Sequence, residues 1–210
     1  MTVVNLQNIT KMYDEKSVFN EFNLEVHKGE FLGVTGKSGA GKTTLLNMIG
    51  LLEKPDEGDV VLFGNKNPNI DRKSGRMLLR NKISYLFQNY ALIENESVES
   101  NLKISARFLK NKKEKQKLIQ EALRRVGLDG YEKKKIFQLS GGEQQRVALA
   151  RIMIKPTELI LADEPTGSLD EYNREAVMDI LNDYNLEGKT IIIVTHDEKV
   201  SQRCKRVIEI

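Results

Sequence analysis

The octapeptide Gly36-Lys37-Ser38-Gly39-Ala40-Gly41-Lys42-Thr43 predicts the fold of this chain, because it follows an apolar run and precedes a helix-like one at residues 44–49. Glycines let successive backbone N–H groups turn inward as an anion nest, and the following helix adds its positive N-terminal end. Lys42 can reach the β- and γ-phosphates of a nucleotide, and the Thr43 hydroxyl can ligate Mg²⁺. We therefore expect a nucleoside triphosphate to bind at Gly36, Ser38, Gly39, Ala40, Gly41, Lys42, Thr43 and Thr44.

The composition is that of an ordinary globular protein, with enough residues for one sizeable domain. There are 33 basic and 30 acidic residues, a net charge of +3, which is too balanced to indicate a nucleic-acid partner. The one cysteine, Cys204, excludes an internal disulfide. Apolar runs are about five residues long, far below the roughly 20 that span a bilayer. If the protein works at a membrane, we expect a partner to hold it there.

Short apolar runs that alternate with helical patterns predict a mainly parallel sheet covered on both faces. Strands are expected at residues 3–9, 22–26, 31–35, 60–63, 83–87, 159–162 and 190–195, with a turn at 57–59. Helices are expected at residues 42–51, within 97–127, and at 140–154 and 174–185. The consecutive helical patterns between residues 97 and 154 interrupt the alternation and predict an inserted helical lobe.

Two carboxylates, Asp163 and Glu164, follow the apolar run Leu159-Ile160-Leu161-Ala162. Groups that bind ligands in parallel sheets lie at the carboxyl ends of the strands, where these two residues fall. Asp163 can hold Mg²⁺, and Glu164 can orient or deprotonate an attacking water. The alternative is that both residues begin a solvated loop, but a magnesium site beside the phosphate loop requires a carboxylate.

A second glycine-containing helix start lies at Ser140-Gly141-Gly142-Glu143, where Ser140 and Glu143 form a capping box. Each glycine in a first turn costs about 1 kcal/mol relative to alanine, so a cap alone does not call for two of them. Bare glycine amides at a helix N-terminus form an anion site. The sequence therefore predicts a second phosphate-binding helix end in one chain.

With these motifs, the chain resembles the ATP-binding subunit of an ABC transporter along essentially its whole length. In that family, Leu139-Ser140-Gly141-Gly142-Glu143 is the signature motif, which binds the γ-phosphate held by the other subunit. The resemblance implies that two copies of this chain sandwich two ATP molecules head to tail, with Ser140, Gly141 and Gly142 contacting the partner's nucleotide.

The resemblance also implies roles for four further residues. Tyr13 would stack on adenine, unless it only packs in the structure. Gln88 would contact Mg²⁺ and the attacking water, the alternative being a surface amide. Asp170, in Ser168-Leu169-Asp170, would cross the dimer interface and could also cap the helix that follows. His196 would contact the γ-phosphate and assist Glu164, Gln88 and Lys42 in catalysis.

The implied fold is α/β: a P-loop NTPase core with a mainly parallel sheet, an N-terminal antiparallel β subdomain and an inserted α-helical subdomain. Residues 1–210 would be a single ATPase domain, with 1–88 and 156–210 as the nucleotide-binding core with its β subdomain and 89–155 as the helical subdomain. ATP and Mg²⁺ are the implied cofactors, with Mg²⁺ held by Thr43, Gln88 and Asp163.

An integral membrane permease is the other implied partner, which would place the chain in the cytoplasm, peripheral on the inner face of the membrane. The run from Asp163 to Asp170 resembles the branch of macrolide exporters, lipoprotein-releasing ATPases and cell-division ATPases. Residues 85–93 look most like export ATPases for lactococcin-type bacteriocins. The expected function is ATP-driven export of a peptide or other antimicrobial compound. A cell-division ATPase that regulates cell-wall hydrolysis is the alternative.

Two lysine features stand outside these motifs. Lys37 lies inside the phosphate loop, where the family often has proline, and its side chain is not expected to touch phosphate. The lysine-rich stretch 110–117 is expected to be a solvated helix face, with attraction to a membrane surface as the alternative.

Overall fold

A computed structural model describes all residues, 1–210. The strands are β1 Thr2–Tyr13, β2 Lys16–His27, β3 Phe31–Thr35, β4 Glu57–Leu62, β5 Asn65–Lys66, β6 Ile83–Leu86, β7 Leu159–Asp163, β8 Thr190–Val194 and β9 Arg206–Glu209. The helices are α1 Lys42–Ile49, α2 Lys73–Asn81, α3 Val98–Ser105, α4 Lys112–Arg125, α5 Gly141–Ile154, α6 Glu171–Leu186 and α7 Glu198–Ser201. No helix is long and apolar enough to cross a membrane.

A five-stranded parallel sheet in the order β6-β7-β8-β3-β9 forms the centre of the molecule. Every residue of β7 and β8 is buried. Alternate residues of β7 enter different cores: Leu159 and Leu161 pack with α1 and the second sheet, while Ile160 and Ala162 pack with α5 and α6. A strand covered on both faces needs apolar residues at every position, which explains its unbroken apolar sequence.

The second sheet is antiparallel, in the order β2-β1-β4-β5. The turn predicted at residues 57–59 is wrong, because these residues open β4 and pair with β1 at Thr10 and Gln7. Gly58 has a φ of 91°, and an added Cβ would lie 2.4 Å from the Asn8 carbonyl oxygen. Only glycine fits this β-bulge, so a bulge produced the same sequence signal as a turn.

The helical segment between β6 and β7 packs around one hydrophobic core. Its buried side chains include Leu102 of α3, Ile119 and Leu123 of α4, and Val147 of α5. Asn111 caps α4, since its side chain accepts hydrogen bonds from the N–H groups of residues 113 and 114. The predicted interruption of the strand–helix alternation is therefore present.

The sequence prediction lacked four elements, the short β5 and α7 and two others, β9 and α2. The edge strand β9 has three exposed residues of four, so it lacks the apolar run of a covered strand. Helix α2 has no side-chain cap and buries only Gly75 and Leu78. Tertiary contacts hold both elements, because neither carries a strong local signal.

Candidate nucleotide site

A cavity of about 370 Å³ opens at the carboxyl ends of the parallel strands, a size that suits a small organic ligand. Its lining residues are Tyr13, Lys16, Val18, Ser38, Gly39, Gly41, Lys42, Thr43, Thr44, Gln88, Asp163, Glu164 and Val194. Those from β7, β8 and the loops after β3 and β6 meet because parallel strands end at one sheet edge. Tyr13, Lys16 and Val18 come from the antiparallel sheet, which packs beside that edge.

The loop between β3 and α1 has the backbone that an anion nest requires. Gly41 has a φ of 102°, and an added Cβ would lie 2.3 Å from Val18 Cγ1. Helix α1 has no side-chain cap and no acidic residue in its first turn. Its first N–H groups therefore remain free for a negatively charged ligand.

The Lys42 ammonium is folded over this loop. Its Nζ donates hydrogen bonds to the carbonyl oxygens of Gly36, at 2.8 Å, and Lys37, at 3.0 Å. These two carbonyls hold the positive charge at the mouth of the nest. A phosphate entering the loop would offer Lys42 a stronger, charge-assisted acceptor.

Thr43 and Asp163 meet at the inner wall of the cavity, where Thr43 Oγ1 donates to Asp163 Oδ1 at 3.3 Å. Burial raises the pKa of the Asp163 carboxyl above its usual value. With Gln88 these residues provide hydroxyl, carboxylate and amide oxygens. That donor set suits Mg²⁺, which takes one or two carboxylates and completes its shell with phosphate and water. No cluster of three or more His, Cys, Asp or Glu residues forms a cage for a different metal.

Glu164 and His196 form a hydrogen-bonded pair, with 2.8 Å between Glu164 Oε1 and His196 Nδ1. The Glu164 side chain is 15% exposed, and its second oxygen, Oε2, is buried without a hydrogen-bond partner. Glu164 also has a φ of 44°, a left-handed conformation that is unfavourable for a residue with a side chain. A strained residue with a free carboxylate oxygen at a cavity is typical of a functional position.

Tyr13 lies at the rim of the cavity and is 45% exposed. Its hydroxyl donates to Glu53 and lies 3.3 Å from Thr44 Oγ1. The Glu53 carboxylate also raises the pKa of the Tyr13 hydroxyl. The hydroxyl is therefore anchored while the ring stays accessible, an arrangement that suits stacking on a flat ligand.

Gln88 lies in the loop between β6 and α3 and lines the cavity. Two residues that follow, Tyr90 and Ala91, have left-handed φ values of 60° and 48°. The Arg151 guanidinium of α5 donates to both of their carbonyl oxygens, at 2.8 Å from Tyr90. The shape of the Gln88 loop is thus held by the helix that starts at Ser140.

The N-terminus of α5 shows the predicted capping box. Ser140 N donates to Glu143 Oε2 at 2.7 Å, and Glu143 N donates to Ser140 Oγ at 3.3 Å. An added Cβ at Gly142 would lie 2.2 Å from Asn173 Oδ1, so packing alone requires that glycine. Contact with Asn173 is therefore a second reason for glycine at position 142, beside the anion site that the sequence predicts there. Gly141 has just the Tyr90 hydroxyl nearby, 3.3 Å from an added Cβ.

Asp170 caps α6 by accepting from Asn173 N at 2.8 Å. Asn173 in turn accepts from Arg146 of α5 at 2.7 Å. The starts of α5 and α6 are therefore joined through one side chain, which places Asp170 beside the Ser140 helix end.

The predicted site residues fall into two groups. The cavity contains Tyr13, Gln88, Asp163, Glu164 and most of the phosphate loop, while the loop residues Gly36 and Ala40 do not line it. His196 reaches it only through Glu164 and lines a neighbouring cavity. The four remaining predicted residues, Ser140, Gly141, Gly142 and Asp170, also lie outside its lining.

Sequence reasoning missed three cavity residues, Lys16, Val18 and Val194. Lys16 pairs with Tyr13 across the β1–β2 turn, and its Nζ lies 3.9 Å from the position of a Cβ on Gly39. The short distance from Tyr13 in the sequence was the available signal. Lys37, by contrast, lines the neighbouring cavity with His196.

The family model described as ABC transporter matches residues 19–167. The chain is 40% identical over 206 residues to the macrolide export ATP-binding/permease protein MacB of Campylobacter jejuni. That alignment covers 98% of this chain and 32% of the relative, so the chain spans about a third of the length of the curated relatives it matches.

Two solved structures have the same fold. The dimeric structure of MJ0796, a bacterial ABC transporter cassette, has a TM-score of 0.90 and 37% identity, covering 99% of this chain and 94% of that one. The same cassette dimer in a post-hydrolysis state bound to ADP and Pi has a TM-score of 0.90 at 36% identity, with the same coverage.

Proposed function

The chain belongs to the ABC transporter family and is its ATP-hydrolysing domain, and we propose that two copies close head to tail around two ATP molecules to drive a membrane permease. The observation that carries this proposal is the separation of the two anion-binding helix ends. The start of α1 lies in the cavity with Lys42 and Glu164, whereas Ser140 and Gly141 are absent from its lining. A second copy could supply the missing helix end to each cavity.

Within one copy, we assign a separate role in catalysis to each of three side chains. Lys42 exchanges the carbonyls of Gly36 and Lys37 for the phosphates. Glu164 Oε2, which has no partner, accepts a proton or hydrogen bond from the attacking water. His196 holds the other carboxylate oxygen and so fixes the orientation of Glu164.

The magnesium role is part of the same proposal. Thr43 and Asp163 would hold the ion together with Gln88, which lines the same cavity. Bound there, Mg²⁺ would supply neutralising charge to the phosphate oxygens. The pKa of Asp163, raised by burial, fits a carboxylate that is stabilised when a cation arrives.

A permease contact is supported by a groove of about 260 Å³ directly beside the Gln88 loop. Its lining combines apolar residues with two cations and includes Leu52, Leu79, Tyr85, Phe87, Ala91, Ser105, Arg151 and Lys155. Arg151 contacts both this groove and the loop after Gln88. We assign residues 89–155 as a helical subdomain that transmits nucleotide closure to the groove.

We propose export of a peptide or another antimicrobial compound, with bacteriocins as the narrower candidate. The support is the similarity to a protein named for macrolide export. The chain would then lie at the cytoplasmic face of the membrane, held by an integral membrane permease.

The test of the two-copy proposal is the ATPase rate per chain, measured over roughly a hundredfold range of protein concentration. The rate should rise with concentration as dimers form, and Ser140→Arg should abolish that rise. A rate per chain that is independent of concentration and insensitive to Ser140→Arg would contradict the proposal. Stimulation of ATPase by a transported peptide, in a complex with the permease, tests the export role separately.

A further inference from the structure

We propose that residues 107–117 form a basic docking segment for the head groups of anionic phospholipids, at the side of the permease groove. This inference rests on the proposed function, because the proposed permease groove defines the side of the protein on which the membrane lies. The binding itself requires neither ATP nor the permease.

The charge of this segment is out of proportion to the rest of the chain. It has six basic residues, Arg107, Lys110, Lys112, Lys113, Lys115 and Lys117, and one acidic residue, Glu114. The segment is therefore net +5 whereas the chain is net +3, so the remaining residues together are net negative. The excess of positive over negative charge in this protein therefore comes from eleven consecutive residues.

The structure leaves these charges available for a partner. Five of the six basic residues are exposed, and Lys115 is partly buried. Only Lys117 has a carboxylate within 4 Å, at 3.7 Å from Glu121. Elsewhere lysines and arginines are commonly paired, for example Arg203 with Glu175 and Asp179. A surface that needed only solubility would not require an uncompensated cluster of this density.

The position of the segment points to a membrane surface. It follows α3 directly, and the last residue of α3, Ser105, lines the groove proposed for the permease. Nearby Ile104 is 40% exposed, so an apolar side chain accompanies the charges. Anionic lipids surround any permease, and a segment beside its docking groove faces them. Clusters of four to eight basic residues next to a membrane are attracted to such lipids.

The experiment is co-sedimentation of the chain with vesicles, without nucleotide. One set contains phosphatidylcholine alone and the other includes phosphatidylglycerol. The wild type should bind the anionic vesicles and lose binding as salt is raised. Each charge near the surface changes partitioning about fivefold, so Lys110→Gln/Lys112→Gln/Lys113→Gln should lower the partition coefficient at least tenfold.

The matched control is Lys133→Gln/Lys134→Gln/Lys135→Gln, which removes the same charge from three other exposed lysines in succession. This control should stay within about twofold of the wild type. Equal losses in both triple variants, or equal binding of the wild type to neutral vesicles, would overturn the proposal. An acidic loop of the permease as the true partner would appear as no vesicle binding, which also overturns it. ATPase rates of the same samples report on the proposed function independently.

Discussion

The two glycine-rich helix starts of this protein, at α1 and at α5, have opposite surroundings. The α1 start has no side-chain cap and lies in a cavity with the carboxylates of Asp163 and Glu164. The α5 start is capped by Ser140 and Glu143 and is not part of that cavity. The first is equipped to receive a ligand within its own chain. The second has its end groups held by the capping box while Gly141 stays exposed, so it is suited to a ligand that another molecule brings.

The largest expected effect follows from Glu164→Gln, a substitution in the cavity at the α1 start. The amide keeps the shape and the contact with His196 but cannot accept a proton. Turnover should fall at least about a hundredfold, because general-base catalysis contributes 10²–10⁴-fold. Phosphate release measures turnover, and fluorescent-nucleotide titration should show retained binding. Normal steady-state phosphate release would remove Glu164 from the role proposed here.

The next largest effect is a difference in stability between alanine substitutions at the two glycines of the α5 start, Gly141 and Gly142. Gly142→Ala should lower the free energy of unfolding by about 1–3 kcal/mol, since its Cβ would collide with Asn173 and disturb the start of α6. Gly141→Ala meets only the Tyr90 hydroxyl and should leave the unfolding free energy nearly unchanged. Chemical denaturation of both variants is the measurement. Equal destabilisation would show that the two positions do not differ in packing.

The sequence could predict the strands of the parallel sheet because an apolar run between glycine-rich or acidic ends is a local signal. It could also place Asp163 and Glu164 at the ligand edge, since parallel strands share that edge. It could not predict that Asn173 makes glycine necessary at residue 142, because that contact joins two helices. Lys16 was missed for the same reason: its approach to Gly39 depends on how two sheets pack.

A substitution at Lys16 tests whether this residue belongs to the nucleotide site in the α1 cavity, and its expected effect on the KM for ATP is smaller than the effects above. Lys16→Gln removes a cation from the lining and should raise the KM for ATP about tenfold, as expected for one charged hydrogen bond, with little change in kcat. Lys37→Gln is the matched control, because its side chain lines the neighbouring cavity. Initial-rate kinetics of the two variants decide the point. Equal KM values for both would place Lys16 outside the nucleotide site.

The smallest expected effect is a pH-dependent change in thermal stability when Asp163 is replaced. Burial raises its pKa in the folded protein above the unfolded value of 3.8, so its negative charge opposes folding at neutral pH. This cost disappears as the pH falls through the folded-state pKa, where the carboxyl is protonated. Asp163→Asn should therefore raise the Tm of the nucleotide-free protein at about pH 7, and the gain should vanish below about pH 4.

Thermal melts of wild type and variant across that pH range measure the difference. The same variant should lose stabilisation by ATP with Mg²⁺. A variant that melts lower than wild type at neutral pH would mean that the hydrogen bond from Thr43 outweighs burial.

In the proposed dimer, the α5 start of one copy completes the α1 cavity of another. The most direct test of this arrangement is size-exclusion chromatography with ATP, comparing Glu164→Gln with the double variant Ser140→Arg/Glu164→Gln. We expect an ATP-dependent dimer for Glu164→Gln and a monomer that still binds ATP for the double variant. An ATP-dependent dimer that persists in the double variant would contradict the proposed arrangement.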